Sequence, residues 1–187
     1  MTLAGWIFLA IIVALVWLGI ATYNRLVGLR QRSAEAWSDI DVQLKRRTDL
    51  VPNLVETVKG YAAHERSTLE QVVRARGAAV AATTPEARAQ AENALTGALR
   101  QLFALAESYP ELKANVNFQA LQHSLTEIEE AVQNARRYYN AVARDLNTAI
   151  DSFPSNLIAS FFRFARRAYF ELDRPEDRQV PRVSFGS

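Results

Sequence analysis

The chain has 187 residues, with 22 basic side chains against 20 acidic ones, a formal net charge of +2, and 49% apolar and 22% charged residues. This is the composition of a folded globular protein rather than a disordered one, and it gives no global electrostatic case for nucleic acid. With no cysteine, disulfide frameworks, thiolate metal sites and thiol nucleophiles are excluded, while the compartment stays open.

The first stretch, Leu3–Tyr23, is almost wholly apolar, and no ionisable side chain other than tyrosine precedes Arg25. At the helical rise per residue it spans roughly 31 Å, close to the hydrocarbon thickness of a bilayer. Trp6 near one end, with Trp17 and Tyr23 toward the other, suits an aromatic belt. The stretch reads as a membrane span that brings the chain into contact with lipid. A buried helix of a soluble protein rarely runs this long without a charge. A cleaved signal peptide should carry a positive leader and a shorter apolar core, although Gly19-Ile20-Ala21 mimics a cleavage site. Arg25, Arg30 and Arg32 follow the span, which by the positive-inside rule puts the N-terminus outside and the main domain in the cytoplasm. Gly5, Ala10, Ala14 and Gly19 give no clean G-x-x-x-G face, so homo-oligomerisation through the span has weak support.

The remainder reads as all-α: about four to five long helices in an antiparallel bundle over 25–169, after a membrane segment of 1–24 and before an irregular tail of 170–187. Leu26, Leu29, Ser33, Trp37, Ile40 and Leu44 recur at spacings of three and four, and Lys45-Arg46-Arg47 suits a helix C-terminus. Thr48 is then the expected N-cap of a second helix with Pro52 in its first turn; the alternative is one long helix kinked at Pro52. The stripe Val51, Leu54, Val55, Val58, Tyr61, Glu65, Leu69, Val72 and Val73 continues toward Val80 across Gly60 and Gly77. Ala81–Thr84 is a turn, after which Thr84, Pro85 and Glu86 open a third helix that ends near Tyr109-Pro110. A fourth helix carries Phe118, Leu121, Leu125, Ile128, Val132, Ala135, Tyr139, Val142, Leu146, Ile150 and Phe153, a seam held for about five heptads until Pro154. In residues 155–169, Phe161, Phe162 and Phe164 alternate with Arg163, Arg166 and Arg167. This segment is either an amphipathic helix on the membrane surface or a last helix capping the bundle. Val180, Val183 and Phe185 are candidates for docking the tail onto the bundle.

Chemistry is hard to find. The two histidines, His64 and His123, stand in neither an H-E-x-x-H nor an E-x-x-H spacing, and no Gly-rich phosphate loop or nucleophile elbow occurs. No catalytic, metal or cofactor residue is assigned. Asn53, Glu56, Glu65, Arg74, Arg76, Asn115, Asn117, Gln122, Glu129, Arg136, Asn140 and Asn147 lie close to the apolar stripes. They form either a polar groove for a protein partner or hydrogen bonds between helices that fix register.

The block Ala36-Trp37-Ser38-Asp39-Ile40-Asp41 through Leu50-Val51-Pro52-Asn53-Leu54-Val55-Glu56 to Gly60-Tyr61-Ala62-Ala63-His64-Glu65 resembles the signature of LemA family proteins. So do Tyr109-Pro110-Glu111-Leu112-Lys113-Ala114-Asn115, Asn117-Phe118, Tyr139-Asn140, Phe153-Pro154 and Tyr169-Phe170-Glu171. The resemblance implies a bacterial single-pass inner-membrane protein with an antiparallel helical domain and no established catalytic activity. Some relatives are linked to a membrane metalloprotease of the HtpX type and others to membrane remodelling in magnetosome formation. Relatives often read Leu-Phe-Gly-Phe where this chain has Phe161-Phe162-Arg163-Phe164, which suggests a basic helical segment in place of a glycine linker. The expectation is a non-catalytic, membrane-anchored scaffold. The alternatives are an accessory subunit of a membrane metalloprotease or envelope-stress system, and a membrane-remodelling protein acting through self-assembly and a C-terminal amphipathic segment.

Overall fold

The computed structural model describes residues 3–171. Six helices follow in order: α1 Leu3–Lys59, α2 Arg66–Ala81, α3 Pro85–Ala106, α4 Pro110–Lys113, α5 Val116–Asp151 and α6 Ser155–Phe161, with no strand among the described residues. The chain is all-α, and the tail beyond Glu171, with Val180, Val183 and Phe185, lies outside the described residues.

The opening helix is one element of 57 residues, so the expected division at Thr48 does not occur. Thr48 is not an N-cap: its hydroxyl donates to the Lys45 carbonyl within the same helix at 2.9 Å. Nor do Lys45, Arg46 and Arg47 close a helix. Pro52 sits inside the element, where it has no N–H to give to the carbonyl of Thr48, four residues earlier. Arg76 of α2 supplies the missing donor, its Nε reaching the Thr48 oxygen at 2.7 Å. At the other end, Trp6, Phe8, Val13, Leu15, Trp17 and Ile20 are all exposed, and the most apolar 18-residue window is wholly unburied. Alpha1 is long and apolar enough to cross a membrane.

The expected continuous helix from Val51 toward Val80 is broken at residues 60–65. Tyr61 and Ala62 both donate to the Val58 carbonyl, at 3.0 and 2.8 Å, and Glu65 donates to the Ala62 carbonyl. Ala62 is buried in this turn, whereas Val73 and Val80 of the expected stripe face solvent. Helix α3 opens as its residues dictate: the Thr84 hydroxyl accepts from the Ala87 N–H at 3.2 Å, with Pro85 at the first position and Glu86 in the first turn. It stops at Ala106, and a separate single-turn helix, α4, begins at Pro110. Asn115 caps α5, its Oδ1 accepting from the Phe118 N–H at 3.0 Å.

Two compact units emerge, one of residues 3–42 and 132–169, the other of 43–131 with 170–171. In the second, Val51, Leu54 and Val58 of α1 meet Leu69 and Val72 of α2, Leu95, Leu99 and Leu102 of α3, Leu112 of α4, and Phe118 and Leu125 of α5. Burial of these aliphatic side chains is the main term holding that unit together. In the first, Leu26, Leu146, Ala149 and Ala159 form the core, flanked by Leu29, Ile150, Ile158 and Phe164, and Trp37 stacks edge-on against Tyr139 at 5.4 Å.

Helix α6 has seven residues, not the longer amphipathic helix expected over 155–169. Phe164 N–H bonds the Ala159 carbonyl and Arg163 N–H bonds the Ser160 carbonyl, while Arg163 takes φ 54°. This is a Schellman C-cap, with Phe164 packed beside Ala159 and Ile158 as the motif's apolar contact. Arg163 therefore keeps a left-handed, glycine-type turn, and the expectation of a basic helix here is overturned.

Candidate functional site

A charged centre is buried in the second unit. Arg47 reaches Glu92 at 3.5 Å and Glu129 at 3.1 Å, with Arg47 6% and Glu92 0% exposed. Arg88 sits one turn from Glu92 on α3, its Nε 3.9 Å from the second carboxylate oxygen. Its terminal nitrogen donates to the carbonyls of Ala79 and Ala82 at 3.0 and 3.4 Å, closing the C-terminus of α2. Burial pushes the Glu92 carboxyl above the ordinary carboxylate range, and the charges of Arg47 and Arg88 offset this only in part. The cluster links Arg47 of α1 to Glu92 of α3 and Glu129 of α5, and through Arg88 it reaches the end of α2.

The polar residues singled out from sequence fall in both units. Asn53, Glu56 and Gln122 are exposed on their helices. Glu65 and Asn115 do fall at one end of the second unit: Glu65 accepts from the Tyr109 hydroxyl at 3.1 Å, and the Asn115 amide donates to the Tyr61 hydroxyl at 2.9 Å. The first of these bonds raises the Tyr109 hydroxyl above its usual range. Arg136 and Asn140, half-buried, belong to the other unit. There, Asn147 bonds both backbone groups of Arg167, at 2.9 and 2.8 Å, and Tyr139 donates to the Ala168 carbonyl at 2.9 Å. Asn115, Glu65, Arg76, Glu129 and Asn147 thus make bonds between elements. Arg47, Arg88 and Glu92 were not singled out from sequence; the Lys45-Arg46-Arg47 run looked like a helix end, and no local pattern marks Glu92.

The first unit carries an apolar face beside the end of the membrane-length stretch. Tyr23 contacts the rings of Phe162 and Phe164 at 4.6 and 5.9 Å, and Arg30 lies over Phe164 at 5.2 Å. Phe153 and Phe161 are each 79% exposed and Leu157 is 60% exposed. Of the six residues expected on a membrane surface, Phe161, Phe162, Arg163 and Arg167 are exposed. Arg166 is exposed too and pairs with Asp151 at 2.7 Å, while Phe164 packs against the core. Among the described residues no group of three or more His, Cys, Asp or Glu side chains converges as metal ligands would.

The LemA family model matches residues 36–185. Magnetosome protein MamQ 2 of Paramagnetospirillum magneticum is 26% identical over 175 residues, covering 80% of this chain and 64% of its own length. Magnetosome protein MamQ of Magnetospirillum gryphiswaldense is 26% identical over 174 residues, covering 79% and 64%. Protein LemA of Metamycoplasma hominis is 26% identical over 157 residues, covering 82% and 70%. The chain spans 64% of the length of the magnetosome relatives it matches.

Proposed function

The chain belongs to the LemA family, and we propose that it is a non-catalytic scaffold anchored in the bacterial inner membrane, with residues 1–24 as the membrane segment and 25–169 as a helical domain that binds protein partners on the cytoplasmic side. One observation carries this reading. Helix α1 runs unbroken from the exposed apolar stretch at Leu3 to core residues Leu26, Ile40, Leu44, Val51 and Val58. Anchor and domain share one helix, so an apolar stretch that water would disfavour is held in place by residues the domain cannot release.

Alkaline carbonate extraction tests the anchor. The full chain should stay in the membrane pellet, and a variant with Leu9→Arg and Val13→Arg should be released; release of the unaltered chain refutes it. A reporter that fluoresces only in the cytoplasm, fused to the C-terminus, tests orientation: a dark fusion reverses it.

The exposure of Phe153, Leu157 and Phe161 favours a second reading, in which α6 and its flanking turns rest in the headgroup boundary beside the span. Photoreactive lipid in reconstituted vesicles should label peptides containing these residues, and label confined to residues 3–23 counts against it.

A further inference from the structure

A cleft of about 900 Å³ in the first unit is lined by α1, by the C-terminal end of α5 and by the turn into α6. Its chemistry changes along its length. Leu18, Arg25 and Arg32 of α1 all line it, and a spacing of seven keeps them on one face, about 10 Å apart per step. The stripe passes from the apolar stretch to two guanidinium groups. Arg144 of α5 adds a third, and Asp145 is the one carboxylate in the lining, so three cations face one anion. Phe153, 79% exposed, adds a large apolar side chain to the same lining. Arg25, Arg32 and Arg144 are exposed and have no hydrogen-bond or ion-pair partner among the described residues, so their guanidinium groups are open to a ligand from solvent or bilayer. Arg47, Arg88 and Arg166 all do.

We propose that this cleft binds an anionic phospholipid, its phosphate held by Arg25, Arg32 and Arg144 and its acyl chains lying along Leu18 and Phe153. A guanidinium fork matches phosphate oxygens in pairs. A free anion would use only the cationic part of the cleft, and a zwitterionic lipid would leave the two excess positive charges unmatched. An amphiphile with a net negative head uses both parts. The proposal rests on the membrane-anchor reading, since Leu18 belongs to the span, and it adds a lipid class to it.

The test is a titration of the full chain in neutral detergent, read by native mass spectrometry, with phosphatidylglycerol, phosphatidylcholine and soluble glycerol 3-phosphate as probes. Phosphatidylglycerol should bind at least about tenfold more tightly than either of the others. At about 1 kcal/mol for each arginine near an anionic lipid, and 1.4 kcal/mol per tenfold, Arg25→Gln, Arg32→Gln or Arg144→Gln should each weaken it about fivefold. The triple variant should lose roughly a hundredfold, whereas Arg66→Gln with Arg137→Gln, outside the cleft, should leave it unchanged. Far-ultraviolet circular dichroism checks that the triple variant keeps its helices; if it does not, the single variants decide. Equal affinity for the two lipids, or retained affinity in the arginine variants, overturns the proposal. Glycerol 3-phosphate binding as tightly as the lipid would also overturn it, leaving an anion site only. A chain that resists carbonate but lacks the preference fails this proposal alone; one released by carbonate fails the anchor reading and this proposal together.

Discussion

Pro52 and Arg76 should be energetically coupled. Pro52 deprives the Thr48 carbonyl of its helical donor, and Thr48 is 3% exposed, so water cannot replace the lost bond. Arg76 Nε occupies that place at 2.7 Å. Arg76→Met keeps the aliphatic stem and removes the donor, leaving a buried acceptor unsatisfied at a cost of about 2 kcal/mol. Pro52→Ala restores the backbone N–H. Pro52 is exposed, so the change opens no cavity, and its direction is set by the proline's helix cost against its stiffening of the unfolded chain, for a gain of about 1 kcal/mol. In the Pro52→Ala background the Thr48 carbonyl has a second donor, and Arg76→Met should then cost no more than about 1 kcal/mol. The coupling is therefore about 1–2 kcal/mol, measurable by denaturant unfolding of the four proteins in detergent with helicity as the signal. Additivity within about 0.5 kcal/mol would refute the argument that Arg76 replaces the proline's missing donor.

Arg163→Gly should stabilise the chain. The left-handed turn at φ 54° costs a non-glycine residue about 1–2 kcal/mol, and glycine's extra unfolded-state freedom returns about 0.5–1, for a net gain of about 0.5–1 kcal/mol, or a rise of about 1–4 °C in Tm; a fall would contradict the capping geometry. Because burial holds Glu92 protonated to higher pH in the folded chain than in the unfolded one, stability is fully present below the ordinary carboxylate range. It declines as pH rises through the raised folded value. Glu92→Gln should flatten that decline in a Tm series from pH 4 to 8, and Arg47→Met should cost about 3 kcal/mol at the upper end and less at pH 4, where the isolated carboxyl can stay neutral.

Much of the fold is legible in the chain because its signals are local. Thr84-Pro85-Glu86 contains the whole start of α3, and the steps of three and four from Phe118 to Ile150 contain α5. The turn at residues 60–65 escaped notice because the apolar spacing continues across it, and only Gly60 hints at a stop. Period-3.6 patterning records which side of a helix is apolar and says nothing about where the helix folds back. The candidate site was less legible. Arg47 and Glu92 stand 45 positions apart and Arg76 and Thr48 stand 28 apart, so their pairing exists only once the helices pack.

The bonds that the sequence does not announce share a physical cause. Each joins a backbone group to a side chain of another element: Thr48 to Arg76, the end of α2 to Arg88, and the Arg167 backbone to Asn147. Local rules assume that a helix end or a proline must be satisfied nearby, and this chain uses long side chains from neighbouring elements instead. Two groups of arginines differ in what surrounds them. Arg47, Arg76 and Arg88 are spent on carbonyls and carboxylates inside the second unit. Arg25, Arg32 and Arg144 line a cleft and have no such partner among the described residues. An arginine that stabilises packing is found already bonded, because burying it otherwise costs several kcal/mol. Arg25, Arg32 and Arg144 are exposed, so water meets them without that cost, and what supports the lipid proposal is their place in one cleft, three cations to one carboxylate beside an apolar stretch.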